Sequence, residues 1–237
     1  MRNLKPTRFR LAGIEGKRLG LANARPFPMC EEEPPVTETL LYRAASTWNS
    51  LSVFRYSFTY GFRMKLHTLN LSFSPEDFPH LAGFQYLKDL ILPRYTPAKT
   101  VEKILDGTIA QEMIEKGQQY KEFVEPRLLA LASLDQIMDS PFALYSYMPQ
   151  MYPFYTALKA DYLIASHLDD ISFVFLIRNG GLDLVCDCIC CSTFVKDYRD
   201  YEVNQRPYTL LKKTKTNLLT AESNILFIKP GFSDPEA

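Results

Sequence analysis

The sequence lacks the short motifs that mark the common nucleotide-dependent and hydrolytic enzymes. It has no G-x-x-x-x-G-K or G-x-G-x-x-G loop to hold phosphates, no G-x-S-x-G nucleophile turn and no H-E-x-x-H zinc motif. Only three of its 237 residues are histidine, and no stretch approaches the roughly 20 apolar residues that span a bilayer. These absences argue against P-loop enzymes, dinucleotide enzymes, zinc hydrolases and membrane proteins, and we expect no cofactor and no membrane partner.

Charge gives little direction for the chain as a whole. The 27 basic and 27 acidic residues cancel, so no global field attracts nucleic acid or a membrane surface. The basic residues are nevertheless concentrated near the N-terminus, where Arg and Lys mix with Gly and Pro and no helical or strand period is sustained. We predict a basic N-terminal arm or extension over residues 1–36, and one domain over residues 37–237.

Cysteine usage indicates a reducing compartment. Four of the five cysteines fall in the segment "CDCICC" at 186–191, unlike the dispersed framework of a small secreted domain, so a cytoplasmic location is expected. On a strand Cys186, Cys188 and Cys190 share one face. Structural zinc sites need a second pair of ligands, which the sequence does not offer. The pattern therefore favours buried packing, and no metal site is predicted.

Two halves of different character predict the fold class. Helical spacing marks residues 37–52 and three stretches between 97 and 140, whereas residues 69–73 alternate as a half-buried strand does. After residue 140 short apolar runs are separated by turns, and Asn179, Gly180 and Gly181 form a strong hairpin signal. We expect an α+β fold, with an N-terminal strand and helices packed on a C-terminal antiparallel sheet.

The segment "SPEDFPHLAGFQYLKDL" at 74–90 places a histidine at a helix start. Ser74 suits the N-cap and Pro75 the first helical position, and His80 falls beside the apolar stripe. Imidazole transfers protons near neutral pH, so His80 is a candidate general base or acid. The alternative is structural, because a histidine here can simply bond a backbone carbonyl and support the turn.

The strand "RPYTLLKKTKTNL" offers cations that such a histidine would need. Strict alternation puts Tyr208 and Lys212 on one face and Lys213 on the other. Such a basic strand can hold phosphate, but lysines also commonly protect an exposed edge strand, and both interpretations stay open. Lys159 and Asp161 in "LKADYL" share a face and are equally ambiguous, since they also suit an ion pair at a rim.

Several of these segments together resemble one protein family. "LNLSFSPEDFPHLAGFQYLKDL", "KTVEKILDGTI", "FVEPRLLALASLDQIM", "LKADYLIAS" and "PYTLLKKTKTNL" are similar, in order and spacing, to the fourth of the phage-borne nuclease-like families grouped with barnase, EndoU, the tRNA-cleaving colicins and RelE-type toxins. The resemblance runs from residue 64 to residue 218. It implies a RelE/barnase-like α+β fold and a metal-independent ribonuclease carried by phages or mobile elements.

The resemblance also suggests roles for individual residues. It carries over His80, Lys159, Tyr208 and Lys212 as catalytic candidates, Asp161 as a substrate-binding candidate and Gly83 as a structural one. The local excess of basic residues over 196–215 adds Lys213 and Arg199 as substrate-binding candidates.

Two hypotheses of function follow. The first is a toxin or effector that cleaves RNA by general acid and base chemistry, with an immunity or host protein as a second partner. The second is a catalytically inactive interaction protein of the same fold that binds a host factor or nucleic acid.

Overall fold

The computed structural model describes residues 38–168, 170–182 and 184–234. The chain divides into two units, and the described residues belong to the unit from Thr37 to Ala237. The predicted arm over residues 1–36 lies outside the described residues.

Six α-helices, eight strands and four short 3₁₀ or π segments make up the regular structure of the described residues. The 3₁₀ segments are Pro75–Asp77, Phe84–Tyr86 and Pro149–Met151, and the π segment is Tyr120–Val124. The helices are α1 (Leu40–Leu51), α2 (Phe78–Leu81), α3 (Pro97–Leu105), α4 (Gln111–Ile114), α5 (Glu125–Ala132) and α6 (Leu134–Asp139). The strands are β1 (Phe54–Phe62), β2 (Lys65–Ser72), β3 (Ala143–Ser146), β4 (Tyr162–Ser166), β5 (Ser172–Gly181), β6 (Val185–Val195), β7 (Arg206–Asn217) and β8 (Ser223–Ile228). None of the described helices has the length and apolar character needed to cross a bilayer.

Seven of the strands close into a barrel. They follow the order β1-β2-β6-β5-β4-β3-β7, and β7 pairs back to β1, which closes the ring. The β2–β6 pair is parallel and the other pairs are antiparallel, so the barrel is mixed. Strand β8 pairs with β7 outside the ring.

The prediction of an N-terminal strand and helices packed on a C-terminal antiparallel sheet is therefore wrong. Residues 54–62 form a full strand, which makes a hairpin with β2 and also pairs with β7. Strand β2 pairs in parallel with β6, so the N-terminal hairpin joins both edges of the C-terminal strands. The sheet closes on itself because every ring strand gains partners on both sides, which leaves no edge of the ring exposed.

The helices pack at one end of the barrel, which we call the helical end. Trp48 of α1 lies edge-on against Phe73, just after β2, with ring centroids 5.3 Å apart. At the start of β1, the Tyr56 hydroxyl donates to Asp139 of α6 at 2.6 Å. The main core runs from these helices into the barrel and includes the buried side chains of Phe58, Leu69 and Leu71.

A second apolar cluster covers the outer face of β4, β5 and β6. Phe173 and Phe175 of β5 point outward, whereas their neighbours Val174 and Leu176 belong to the main core. Tyr201 packs edge-on against Phe175, with ring centroids 5.2 Å apart. Both faces of this part of the sheet are thus buried, which explains why these strands read as continuous apolar runs.

Gly83 fixes the end of α2. Its φ is +84°, a left-handed conformation that favours glycine, and its N–H donates to the His80 carbonyl at 3.0 Å. A Cβ added at this position would lie 3.0 Å from the Phe123 carbonyl oxygen and 3.1 Å from Cδ of Arg127. Both the backbone conformation and the space around it therefore require glycine.

We expect Gly83→Ala to lower the free energy of unfolding by about 2–3 kcal/mol, since left-handed strain and a steric contact add together. Gly107→Ala is the matched control, because Gly107 has φ +77° but no neighbour within 4 Å of an added Cβ. That variant should lose only about 1 kcal/mol. Urea unfolding of both variants measures the difference, and equal losses would contradict the steric part of the argument.

Candidate functional site

His80 lies at the helical end of the barrel. Its helix, α2, packs against α3 and β6. Asp77 lies one turn before His80. Burial raises the pKa of Cys190, and the negative charge of Asp77 is close enough to Cys190 to raise it further. Cys190 is four residues, roughly 13 Å, along β6 from Cys186, which lies towards the other end. The side chain of His80 is exposed.

A bulge in β7 separates Tyr208 from Lys212. The register of β7 against β1 shifts so that Tyr60 is opposite Leu210 while Thr59 is opposite Lys212, which leaves Leu211 as the extra residue. Tyr208 therefore points into the barrel with Leu210, and Lys212 points outward to an ion pair with Asp234. Strict alternation predicted one shared face for Tyr208 and Lys212, and the bulge overturns that prediction.

The other predicted residues are dispersed over the domain. Lys213 faces inward near the helical end, and its ammonium donates to the carbonyls of Met138 and Ser140. Arg199 pairs with Asp197 beside the outer cluster. The side chain of Lys159 is exposed.

Among these predicted residues only Asp161 lies near Tyr208. Asp161 directly precedes Tyr162, whose ring centroid is 6.2 Å from that of Tyr208. The Asp161 carboxylate accepts a hydrogen bond from the Arg178 amide at 2.9 Å.

The structure instead brings together polar side chains at the end of the barrel opposite the helices. We call this the arginine end, because Arg63, Arg178 and Arg206 all lie there. At its centre the buried Tyr162 hydroxyl accepts two hydrogen bonds from the Arg178 guanidinium, at 2.7 and 3.1 Å. The Tyr60 hydroxyl is 3.3 Å away.

His67 is the histidine of this end. It lies opposite Tyr60 in the β1–β2 ladder, and the two rings stack with centroids 5.4 Å apart and an angle of 16°. The Tyr60 ring also packs against the Tyr208 ring, with centroids 4.5 Å apart. His67 is half-buried, so its imidazole is held in place by the aromatic rings and is still reached by solvent. The third histidine, His167, pairs with Glu202 at 2.8 Å beside the outer cluster.

The electrostatics of the arginine end keep the phenols of Tyr60 and Tyr162 neutral and the guanidinium of Arg178 charged. Burial raises the pKa of Tyr60 and Tyr162. Burial also opposes the charge on Arg178, but the interactions with Tyr162, Cys186 and Asp161 outweigh it and raise the pKa of Arg178. The phenols therefore act as hydrogen-bond donors and acceptors at neutral pH, and Arg178 remains a fixed cation.

Cys186 completes the cluster from β6. Its sulfur is 4.0 Å from that of Cys188 and 3.5 Å from the Tyr162 hydroxyl. The hydrogen bond with Cys188 lowers the pKa of Cys186, with further help from Tyr162 and Arg178. Cys188 and Cys190 are buried in the main core, as the packing interpretation of "CDCICC" predicts. Across the described residues no three His, Cys, Asp or Glu side chains converge as metal ligands would.

The other two arginines of the arginine end, Arg63 and Arg206, lie against the aromatic ring of Phe62. The guanidinium carbons of Arg63 and Arg206 lie 5.1 and 5.4 Å from its centroid. None of the three arginines forms a salt bridge with any other residue that the structure describes. An imidazole, phenols and several cations at one end of a barrel can bind a phosphate and move a proton beside it.

A signal for this site was present in the sequence. The stretch "RYSFTYGF" at 55–62 alternates aromatic with small or charged residues, the period of a strand with one buried face. Pairing that strand with "KLHTLNLS" places His67 next to Tyr60. The arrangement of Arg178 and Tyr208 around them depends on barrel closure, which no local pattern encodes.

Comparison with known proteins identifies one family. A sequence model of the family described as phage-Barnase-EndoU-ColicinE5/D-RelE like nuclease4 matches residues 40–229, a range that contains His67, Arg178, Arg206 and Tyr208. No curated protein and no solved structure matches the chain. The chain belongs to the phage-Barnase-EndoU-ColicinE5/D-RelE like nuclease4 family, a nuclease-like family for which nucleic acid is the implied substrate.

Proposed function

We propose that the protein is a metal-independent ribonuclease whose active site is the arginine end of the barrel. The observation that carries the proposal is the stack of His67 on Tyr60, together with Tyr208, Tyr162 and Arg178. This arrangement supplies a proton-transfer group, phenols and a fixed cation linked by successive contacts: His67 stacks on Tyr60, whose hydroxyl is 3.3 Å from that of Tyr162. The Tyr162 hydroxyl in turn accepts from Arg178. RNA is the substrate that such a set suits, because its own 2′-hydroxyl is the nucleophile.

In the proposed reaction His67 accepts the proton of the 2′-hydroxyl, and the oxygen attacks the adjacent phosphorus. The bond from phosphorus to the 5′-oxygen breaks, and the leaving oxygen takes a proton from water to become a 5′-hydroxyl. The other product is a 2′,3′-cyclic phosphate, and His67 returns its proton to solvent. Arg178 and Arg206 balance the charge that builds on the phosphate oxygens in the transition state. The Tyr208 hydroxyl, which bonds no other described residue, donates to one of those oxygens.

Membership of a phage-associated family that is named with colicins and RelE supports a biological role as a toxin or effector of a phage or mobile element. Such a protein acts on the RNA of the cell in which it is expressed. A second partner in this role is an immunity or host protein that limits the damage.

The proposal predicts cleavage that depends on the 2′-hydroxyl and resists chelation. A labelled single-stranded RNA should be cut in the presence of EDTA, with a 2′,3′-cyclic phosphate on the 5′ fragment. The same oligonucleotide with 2′-deoxyribose at the mapped cleavage position should be resistant there. Gel analysis and mass spectrometry of the fragments measure both results, and binding of RNA without cleavage would favour the inactive interaction protein instead.

A further inference from the structure

The turn between β1 and β2 is built from residues that do not favour its backbone. Phe62 pairs with Lys65, so Arg63 and Met64 form a two-residue hairpin loop. Both have positive φ, +48° and +60°, as a type I′ turn requires. Asn-Gly is the usual choice there, and residues with longer side chains are strained in this left-handed conformation. Strain of this kind at a loop tip often accompanies a functional contact.

The strained tip presents a cation and an apolar side chain side by side at the arginine end. The Arg63 guanidinium lies against the ring of Phe62, as that of Arg206 also does. Met64 is fully exposed, at 104% of its reference area. The Met64 side chain is thus open to solvent beside the Arg63 cation and is available to contact another molecule.

The turn between β5 and β6 lies beside the β1–β2 hairpin and also exposes apolar side chains. The amide of Thr68 on β2 donates to the Leu184 carbonyl in the β5–β6 turn at 2.7 Å, so the two hairpins lie next to each other. Leu66, Leu182 and Leu184 are exposed on them. The arginine end thus has an apolar rim beside its cations, and this combination suits a nucleic acid whose bases are unpaired, since unstacked bases can pack on apolar and aromatic side chains while arginines hold the phosphates.

We propose that the Arg63–Met64 tip is a substrate-binding element for single-stranded RNA, with Arg63 and Arg206 holding a backbone phosphate and Met64 packing against an unpaired base. This inference rests on the ribonuclease function proposed above. The tip binds and positions the RNA; the proton transfer remains with His67. An Asn-Gly turn would be less strained, but it would supply neither the cation nor the apolar side chain that these contacts need.

The test is the double variant Arg63→Asn, Met64→Gly, which converts the loop to its preferred sequence. The melting temperature should rise by a few degrees, about 2–6 °C, because strain is removed. The affinity for a labelled single-stranded RNA, measured by fluorescence anisotropy, should fall about tenfold. The slope of log affinity against log salt should shrink by about 0.7, the value for one lost phosphate contact on a single strand.

Two control variants and a second tip variant separate the effects of turn strain, of surface charge in general and of the Arg63 charge. Ala221→Gly relieves a positive φ of +58° in the β7–β8 turn, away from the arginine end, and should raise stability without changing RNA affinity. Lys88→Asn removes an exposed charge near the helical end and should leave the affinity and salt slope unchanged. Arg63→Gln alters the charge with a smaller change to the turn, and it should weaken binding even if the double variant is misfolded.

The outcomes are distinguishable. If the wild-type protein cleaves RNA and both tip variants bind single strands as tightly as it does, the tip is not a binding element and only this inference falls. If the variants lose affinity for duplex and single-stranded RNA equally, the assignment to unpaired bases is overturned. A wild-type protein that neither binds nor cleaves RNA overturns the proposed function and this inference together.

Discussion

Replacing His67 by glutamine should lower the rate of RNA cleavage by about 100- to 10,000-fold, the range that removal of a positioned general base or acid produces. Glutamine keeps a planar polar side chain against Tyr60 but cannot accept and return a proton. Because the loss is in chemistry rather than in binding, kcat should fall while the affinity for RNA changes little. Single-turnover cleavage of a labelled RNA, with anisotropy for binding, measures the two effects separately.

The matched control is His80→Gln. His80 is exposed at the helical end, and the structure shows no side-chain hydrogen bond that ties it to the arginine end or to any other described residue. This variant should cleave at the wild-type rate. The opposite result, with loss of activity in His80→Gln and none in His67→Gln, would move the active site to the helical end and restore the role that the sequence motif suggests for His80.

The contrast between the two histidines shows what local patterns encode. The segment around His80 carries strong local signals: Ser74 accepts the Glu76 amide at 3.3 Å as an N-cap, and Gly83 ends the turn. These signals describe a helix start correctly, but they do not say what lies across from it. His67 sits in an ordinary strand pattern and gains its neighbours from pairing with β1.

The fold was missed for a related reason. Helix spacing and hairpin signals are local, and they located helices near residues 40–51 and a hairpin after Asn179. Closure of the barrel depends on β1 pairing with β7, some 150 residues later, and on the parallel pairing of β2 with β6. Parallel and closing pairs leave no turn in the sequence, so alternation alone does not reveal which edges meet.

The bulge in β7 is the reason that strict alternation predicts the wrong faces for the cations of this strand. One extra residue, Leu211, moves every later side chain to the other face, so Lys213 and Lys215 follow Tyr208 and Leu210 into the barrel while Lys212 leaves it. The basic strand was therefore identified correctly as a feature, but its cations were assigned to the wrong faces. The cations that do stand near Tyr208 come from other segments, namely Arg178 and Arg206.

The second large effect is expected at Lys213, which the bulge turns inward. Its side chain is 2% exposed, its ammonium donates to the carbonyls of Met138 and Ser140 at 2.8 and 2.6 Å, and it lies 4.6 Å from the ring centroid of Phe142. These carbonyls are at the C-terminal end of α6, where they have no partners within the helix and where a cation is favoured. Lys213→Met should therefore lower the free energy of unfolding by about 2–4 kcal/mol at pH 7, because it leaves two buried acceptors unpaired.

The control is Lys215→Met on the same strand. Lys215 pairs with Asp139 at 2.8 Å, but the Asp139 side chain is 42% exposed, so water can replace the lost partner and the loss should stay near 1 kcal/mol or below. Urea unfolding measures both variants. Equal losses would mean that the two carbonyls find water or other donors when Lys213 is removed.

The cost of Lys213→Met should also grow with pH. Burial lowers the pKa of Lys213 from 10.5 to about 8 in the folded protein. Between pH 8 and 10.5 the unfolded chain binds this proton and the folded protein does not, so the contribution of Lys213 to stability rises with pH. Below pH 8 both states bind the proton and the contribution is constant. The gap between wild type and variant should thus widen by up to about 3 kcal/mol across this window. Other groups that titrate there, including the cysteines and tyrosines, are common to both proteins and cancel in the difference. A gap that stays constant from pH 7 to pH 10 would mean that the ammonium is charged throughout and that its two carbonyl partners fully compensate for its burial.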